Sequence, residues 1–333
     1  MTLLVLSAGD LPGLLPYPEV VEVMGQALAA LAAGQACQPV RTVLQPPGAA
    51  GLMVLMPCHL PPAGGAADEP GYGLKAICVS PGNPALGKDA HQGGVLISSA
   101  RTGEPLALLN ASALTEIRTA AVSALATSLL ARPGAAQVAI IGTGVQARAH
   151  IQALAACRDL AGIRVAGRDA GRARRFADAT AGLVPVPVIA CDSVEQALAG
   201  AEIVVTATSS AVPVLQHGWL APGAHVNAVG ACLPAAREID AATMAAAALY
   251  VDSRESAASE SGDFLLAVAD GAIGTGHIRA ELGEVLAGRA PGRADDQEIT
   301  VFESLGLAVE DFAAAVLAYR KALASGAGTR VGF

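Results

Sequence analysis

Short apolar runs alternate with amphipathic stretches through the middle of the chain, between residues 137 and 252. Helical periodicity follows several of these runs, as in VQARAHIQALAAC (145–157) and DAGRARRFADATAG (169–182). Because alternation of strand and helix is typical of a parallel sheet covered on both faces, the region predicts a doubly wound α/β domain of Rossmann type. The predicted strands are QVAIIG (137–142), GIRVAG (162–167), VPVIA (186–190), EIVVTAT (202–208), AHVNAVG (224–230) and ALYVD (248–252).

The first 118 residues show a different pattern, in which Pro and Gly interrupt the apolar runs. This punctuation favours strands of a mostly antiparallel sheet, with SARTGEP (99–105) as a hairpin turn. The stretch PEVVEVMGQALAALAAG predicts an amphipathic helix that ends at Gly34, and residues 61–71 predict a loop. The expected strands lie in VRTVLQPP (40–47), GLMVLMPCHL (51–60), GLKAICVSPGNP (73–84) and GGVLISSARTGEPLALL (93–109).

Two further helical stretches adjoin these regions. The first, ASALTEIRTAAVSALATSLLARPG (111–134), connects them and is stopped by Pro133-Gly134. The second, VEDFAAAVLAYRKALASG (309–326), lies close to the end of the sequence. We expect the residues after it to fray.

Composition and charge argue against several classes of protein. Apolar residues make up 53% of the 333 residues and aromatic residues only 3%, and no apolar run is long enough to span a bilayer. The net charge of −8 argues against a nucleic-acid partner. The six cysteines show neither a CxxC pair nor a Cys/His pair at zinc spacing, so we expect reduced thiols, a cytoplasmic location and no bound metal.

A glycine turn joins the first strand of the middle region to its helix. Gly142 and Gly144 let the backbone turn tightly against a pyrophosphate, and the helix that follows points its free N–H groups at the anion. Ala147 stands at the third glycine position of the motif, where it still permits close packing of helix and strand. A purely structural turn is the alternative, but the strand before it and the helix after it favour dinucleotide binding.

The end of the second strand bears on which dinucleotide binds. Arg168 and Arg172 are suited to a 2′-phosphate, which favours NADPH, with NADH as the alternative. Asp169 argues the other way, because an acidic residue here binds the ribose hydroxyls of NADH, unless it caps the next helix instead. If no 2′-phosphate binds, both arginines are ordinary surface residues.

Six longer stretches occur in a characteristic order: QPVRTVL (38–44), GLKAI (73–77), LTEIRTAAVSALAT (114–127), IIGTGVQA (140–147), HVNAVGA (225–231) and GRAPGRADDQEITVFESLGLAVED (288–311). Together they span nearly the whole chain. In sequence and order they resemble the ornithine cyclodeaminase/mu-crystallin family.

The resemblance implies a homodimer of two-domain subunits. An α+β domain for substrate binding and dimerisation is expected to comprise residues 1–118 plus 312–333, and an NAD(P)-binding Rossmann domain residues 119–311. The resemblance also implies a nicotinamide cofactor that exchanges hydride with the α-carbon of an amino or imino acid. The residues expected to contact the cofactor are Thr119, Gly142, Thr143, Gly144, Val145, Gln146, Arg168, Arg172, Thr206, Ala207, Thr208, Val229, Gly230, Ser304 and Gly306.

Three cationic residues match family positions that hold the substrate carboxylate and flank its nitrogen. Arg41 and Arg118 are expected to bind the carboxylate, for which guanidinium offers a planar fork. An imine accepts hydride as iminium, so Lys75, its pKa lowered by the two guanidinium groups, is the expected proton donor. His91 is a second candidate for that role, with a solvated loop histidine as the alternative. From composition alone, each of the three cations would be taken for a surface residue.

Cys232 stands where the cyclodeaminases of this family carry an aspartate. A neutral thiol cannot replace a carboxylate base, so the resemblance favours the ketimine-reductase branch over ornithine cyclodeamination, with Cys232 lining the substrate pocket. The expected reaction is NAD(P)H-dependent reduction of Δ1-pyrroline-2-carboxylate or Δ1-piperideine-2-carboxylate to L-proline or L-pipecolate. Three alternatives stay open: an alanine-dehydrogenase-like reductase of acyclic imino acids, an ornithine cyclodeaminase, and a mu-crystallin-like protein that binds NADPH and a ligand.

Overall fold

The computed structural model describes residues 2–61 and 70–333, and the chain divides into two compact units. The first unit contains the residues up to Arg118 together with Gly306–Phe333, and the second is Thr119–Leu305. The return to the first unit therefore occurs six residues earlier than the sequence predicts. It does so because Gly306 and Asp311 bond to side chains of the first unit.

The described residues form fifteen strands and eleven α-helices, numbered here along the chain. The strands are β1 (Thr2–Leu6), β2 (Thr42–Leu44), β3 (Leu52–His59), β4 (Pro70–Val79), β5 (His91–Ser99), β6 (Pro105–Asn110), β7 (Gln137–Ile141), β8 (Gly162–Ala166), β9 (Val188–Ala190), β10 (Ile203–Thr206), β11 (His225–Ala228), β12 (Ala248–Val251), β13 (Ile278–Glu281), β14 (Thr300–Glu303) and β15 (Thr329–Gly332). The helices are α1 (Leu11–Leu14), α2 (Tyr17–Ala32), α3 (Ala111–Leu130), α4 (Val145–Cys157), α5 (Ala170–Thr180), α6 (Val194–Leu198), α7 (Ala241–Ala246), α8 (Arg254–Glu260), α9 (Gly262–Ala269), α10 (Leu282–Leu286) and α11 (Ala308–Ser325).

A mixed sheet forms the centre of the first unit, in the order β15-β1-β6-β5-β4-β3-β2. All neighbouring strands are antiparallel except β1 and β6, which confirms the mostly antiparallel prediction. Helix α11 lies against β4 at a glycine: a Cβ on Gly73 would fall 2.4 Å from the ring of Phe312. This close approach places the first turn of α11 over the middle of the sheet.

The second unit has a parallel sheet in the order β13-β12-β14-β11-β10-β7-β8-β9. All six strands predicted for this region are present, and the doubly wound α/β prediction is confirmed. The order β9-β8-β7-β10-β11 is that of a dinucleotide-binding sheet, which begins its second half at β10. Strand β14 adds to this half by inserting between β11 and β12.

The end of the chain differs from the expectation. Residues after α11 do not fray; they form β15, which pairs antiparallel with β1 from Thr2↔Gly332 to Val5↔Thr329. Gly326 and Gly328, both with positive φ, turn the chain back toward the sheet. Most of the predicted loop at 61–71 lies outside the described residues. In the part of the chain that is described, every helix is too short or too polar to cross a membrane.

Candidate active site

Lys75 lies on β4, on the face of the sheet that carries α11. The residues of a strand alternate between its two faces, so Lys75 shares a face with Gly73, against which Phe312 packs. Asp311, the neighbour of Phe312, accepts hydrogen bonds from Lys75 Nζ at 3.0 and 3.2 Å. The side chains of Lys75 and Asp311 are only 3% and 1% exposed, so this is a buried ion pair.

Arg118 reaches the same carboxylate from α3. Its Nε donates to Asp311 Oδ1 at 2.8 Å, and its Nη1 donates to Glu310 Oε2 at 2.8 Å. Glu310 also accepts the N–H of Leu307, at the start of α11. Acidic side chains in the first turn of a helix interact favourably with its dipole, so the helix end helps to hold both carboxylates.

Arg41 joins this cluster through the backbone of Gly306. Arg41 Nη2 donates to the Gly306 carbonyl at 2.9 Å. Gly306 has φ +81°, and a Cβ there would fall 2.7 Å from Nη1 and Nη2 of Arg118. Gly306, which the sequence predicts as a cofactor contact, lies against the two arginines predicted to bind the substrate carboxylate.

The charges of the cluster perturb one another. The pKa of Lys75 is lowered to about 8. Burial is the largest cause, the charges of Arg118 and Arg41 also lower the pKa, and the charge of Asp311 raises it. Burial raises the pKa of Asp311, but the charges of Arg118 and Lys75 outweigh burial and lower it overall. Burial also raises the pKa of Glu310, against the opposing charge of Arg118.

His91 begins β5, opposite Val79 of β4. Desolvation and then the positive charge of Lys75 lower its pKa, while Asp89 opposes them. The charge of one candidate proton donor, Lys75, thus influences the pKa of the other, His91. Of the two, Lys75 is the one that bonds directly to the carboxylate of α11.

The glycine turn of the second unit has the geometry of an anion site. Gly142 has φ +131°, and a Cβ there would fall 2.4 Å from the carbonyl oxygen of Ala207, so only glycine fits. Gly144 is the N-cap of α4 and provides no capping side chain, as is typical of a helix start that binds an anion. Thr143 lies between them, with its methyl 3.4 Å from a Cβ built on Gly167. Val145, exposed, and Gln146, half-buried, are the first two residues of α4.

Asp169 serves as a helix cap at the end of β8. Its carboxylate accepts the N–H of Arg172, which makes it the N-cap of α5. The side chains of Arg168 and Arg172 are exposed. The sequence left two roles open for Asp169, and the fold uses it as the cap.

The loops after β10 and β11 run side by side. The Val229 N–H donates to Thr206 O at 2.9 Å, which extends the ladder one step beyond the strands. Ala207 N–H donates to Ile141 O, next to the glycine turn. Beyond this point, Thr208 and Gly230 bond instead to the carboxylate of Glu238, at 2.6 and 2.7 Å. Five of the predicted cofactor residues thus lie along one edge of the sheet.

Cys232 and Ser304 are neighbours in the second unit. The Cys232 thiol donates to the carbonyls of Val229 and Ser304, at 3.4 and 3.7 Å. Ser304 is buried and follows β14, and its N–H donates to Ala228 O. The Cys232 thiol therefore packs against the loops at the carboxyl ends of β11 and β14. Thr119, also buried, follows Arg118 on α3.

Three acidic residues of this geometry are absent from the sequence prediction. Glu310 and Asp311 close the acid-rich stretch 288–311, and only their contacts distinguish them from surface residues. Glu238 lies in REID (237–240) and shows no motif of its own. Asp311 lies within the family stretch 288–311, but the local sequence pattern does not indicate a role for it.

A profile of the ornithine cyclodeaminase/mu-crystallin family matches residues 4–326. The chain belongs to this family. Ketimine reductase mu-crystallin of Mus musculus is 40% identical over 286 residues, which cover 86% of this chain and 85% of the mouse protein.

Two solved structures, each with a bound nicotinamide cofactor, have nearly the same fold as this chain. Δ1-Pyrroline-2-carboxylate reductase of Thermococcus litoralis, in complex with NADH and L-proline, superposes with a TM-score of 0.93 and is 36% identical, covering 99% of this chain and 100% of its own. An archaeal alanine dehydrogenase dimer with bound NAD gives a TM-score of 0.91 and 31% identity, with both chains fully covered. These two similar proteins are thus oxidoreductases solved with a bound nicotinamide cofactor.

Proposed function

We propose that this chain is an NAD(P)H-dependent reductase of cyclic ketimines. It converts Δ1-pyrroline-2-carboxylate, Δ1-piperideine-2-carboxylate or both to L-proline and L-pipecolate. The observation that carries the proposal is the buried Lys75–Asp311–Arg118 cluster, with Arg41 beside it. It occurs in a chain that matches, over 99% of its length, a reductase solved with NADH and L-proline.

The cluster has the charge to receive one carboxylate. Three cations, Arg41, Lys75 and Arg118, gather beside Gly306 and the first turn of α11. A cyclic imino acid brings one negative charge in its carboxylate. We assign Arg41 and Arg118 to this carboxylate, and their fixed guanidinium planes orient the ring.

Lys75 is assigned the proton of the reaction. A pKa of about 8 keeps its Nζ protonated at neutral pH yet makes it a better acid than an ordinary lysine. Nζ gives a proton to the ring nitrogen, which makes the adjacent carbon electrophilic, and the neutral amine that remains is reprotonated from solvent. Asp311 orients Nζ through its two oxygens.

The residues of the glycine turn fit a dinucleotide. The backbone volume at Gly142 and the uncapped start of α4 after Gly144 are suited to the pyrophosphate. When bound, the cofactor supplies hydride to the imine carbon. We propose NADPH as the preferred form, with NADH possible, because Asp169 is engaged as a helix cap and Arg168 and Arg172 remain exposed beside it.

We also propose that the protein is a cytoplasmic homodimer. The archaeal alanine dehydrogenase of the same fold is a dimer. Strand β2, at one edge of the first sheet, exposes Val43 and Leu44 at 52% and 59%, which favours cover by another subunit. All six cysteines carry free thiols, as expected in a reducing compartment.

A reductase of acyclic imino acids is the second candidate, favoured by the 31% identity to an alanine dehydrogenase. The deciding experiment compares kcat/KM for the two cyclic imines with that for pyruvate plus ammonia, each with NADPH and NADH. We expect the cyclic imines to be turned over with the higher kcat/KM. Turnover of pyruvate plus ammonia, but of neither cyclic imine, would overturn the cyclic assignment. Ammonia release from L-ornithine without added cofactor would indicate a cyclodeaminase.

A further inference from the structure

Glu238 joins the two loops that follow β10 and β11. Its side chain is fully buried, and its two oxygens are divided between the loops: Oε1 accepts the N–H of Thr208 at 2.6 Å and Oε2 accepts the N–H of Gly230 at 2.7 Å. The strands themselves stop pairing just before, with Val229 N–H bonded to Thr206 O. The carboxylate thus takes over where the ladder of the sheet ends.

The space for this carboxylate depends on a glycine. A Cβ on Gly230 would fall 2.5 Å from Glu238 Oε2 and 2.2 Å from the carbonyl oxygen of Thr208. The two loops therefore approach each other more closely than a side chain at position 230 would allow. The two oxygens of one carboxylate satisfy both N–H groups in that volume.

Glu238 is itself fixed from both sides by its main chain. Its N–H donates to Asp263 Oδ1 at 2.8 Å, as does the N–H of Ile239. Its carbonyl accepts the N–H groups of Val214 and Leu215, at 2.8 and 3.0 Å. Every polar group of Glu238 thus has a partner, and a buried, fully bonded carboxylate holds the attached loops in one arrangement.

We infer that Glu238 is a positioning residue for the nicotinamide half of the cofactor. The inference rests on the proposed function, in which the glycine turn holds the pyrophosphate. In a dinucleotide-binding sheet the two halves bind one mononucleotide each, at the carboxyl ends of their strands. Strands β10 and β11 belong to the second half, so the loops that Glu238 joins serve the nicotinamide ribose and ring, and the β7–β8 side serves the adenosine.

The test is Glu238→Gln, which replaces one acceptor oxygen with an NH₂ donor and leaves one of the two loop N–H groups without an acceptor. We expect the Kd and KM of NADPH and NADH to rise about tenfold or more, because a hydrogen bond to a charged group is lost. The Kd of 2′,5′-ADP and of ADP should stay within about twofold of wild type, since these fragments use only the adenosine half. KM for the cyclic imine at saturating cofactor should not change.

Asp240→Asn is the matched control. It makes the same carboxyl-to-amide change two residues along the chain, and Asn retains an oxygen for the N–H of Thr243 that Asp240 now accepts. This variant should bind dinucleotide and fragments as wild type does. If E238Q does not yield folded protein, Glu238→Asp keeps the charge but withdraws it by one methylene, and the same comparison of dinucleotide with fragment decides.

Two results would overturn the inference. One is wild-type dinucleotide affinity in E238Q. The other is an equal loss of affinity for dinucleotide and fragment, which would assign Glu238 to the stability of the whole unit. Failure of the wild-type protein itself to bind either nicotinamide cofactor would instead refute the proposed function.

Discussion

Lys75 and Asp311 form a buried ion pair between residues 236 positions apart in sequence, with Nζ 3.0 and 3.2 Å from the two carboxylate oxygens. Arg118 bonds to the same carboxylate. Burying a charge is costly unless it is paired and hydrogen-bonded, so each of these groups depends on the others. Their arrangement also leaves the amine of Lys75 as an acid of moderate strength within a set of fixed cations.

Replacing Asp311 with Asn should impair both stability and turnover. The change leaves Lys75 and Arg118 without their shared anion, and breaking a buried pair costs about 3–5 kcal/mol. The pKa of Lys75 should fall below about 8, because the charge of Asp311 raises it. Denaturant unfolding and steady-state kinetics measure both effects. D270N, which breaks the more exposed Arg237–Asp270 pair, is the control and should change neither by much. Wild-type stability and kcat in D311N would contradict the assigned pairing.

The pH dependence of the two reaction directions should have opposite signs. Reduction needs protonated Lys75, so its kcat/KM should fall as the pH rises through about 8. Oxidation of L-proline needs the neutral amine and should rise over the same interval. The control is His91→Asn, which should keep the alkaline limb. A limb that disappears in H91N would identify His91 as the proton donor instead.

Gly306→Ala should weaken binding of the imino acid. Alanine at φ +81° is strained, and its Cβ would fall 2.7 Å from the guanidinium of Arg118, which must then move. We expect KM for the imine to rise about tenfold or more, because small displacements of binding groups are costly. Gly326→Ala separates the two causes: Gly326 has φ +75° with nothing within 4 Å of a Cβ. That variant should lose about 1 kcal/mol of stability and keep its KM. Equal KM values in the two variants would show that Arg118 is not involved.

Arg168→Gln and Arg172→Gln should separate the two cofactors. If these arginines bind a 2′-phosphate, each change should raise KM for NADPH about tenfold and leave KM for NADH unchanged. Arg174→Gln, on the same helix as Arg172 but with its side chain bonded to Asp192, is the matched control. Steady-state kinetics with both cofactors provide the measurement. Parallel changes for NADPH and NADH would mean that the arginines do not read the phosphate.

Asp263 should contribute a stabilisation that is lost as the pH rises. Burial, and to a smaller extent the charge of Glu238, raise the pKa of Asp263 to about 7, against the hydrogen bonds that its carboxylate accepts from the N–H groups of Ile239 and Glu238. The folded state then holds a proton that the unfolded state releases near its ordinary pKa. The stabilisation is therefore complete below about pH 4 and lost as pH rises through about 7, at up to about 1.4 kcal/mol per unit.

Asp263→Asn should flatten this dependence, because asparagine keeps an oxygen for the N–H groups of Glu238 and Ile239 and does not titrate. Urea unfolding from pH 4 to pH 8 measures the slope. D192N, at an exposed aspartate, should keep the wild-type slope. A D263N profile that parallels wild type would place the titration on another group.

Much of the fold follows from local sequence pattern. Six of the eight strands of the second unit are recognisable as mostly apolar runs. Strands β7 and β10 show the reason, because the strands of a parallel sheet are buried on both faces. Strands β1, β13, β14 and β15 are not among the predicted strands. Strand β14 is short, lies within ITVFES and is inserted between two others, whereas β15 is exposed along its length and pairs with β1.

The candidate site divides in the same way. The glycine turn and the three cations are recognisable from motif and family stretch, because their residue types are demanded locally by backbone geometry and by charge. Asp311 and Glu238 are not recognisable in this way, because the local sequence does not distinguish a buried carboxylate from one at the surface. What the sequence by itself determined is the class of fold, the family and the position of each strand-end motif. Only the tertiary structure decided which acids neutralise which cations, because those pairs join residues hundreds of positions apart, and their energies depend on burial that no local pattern encodes.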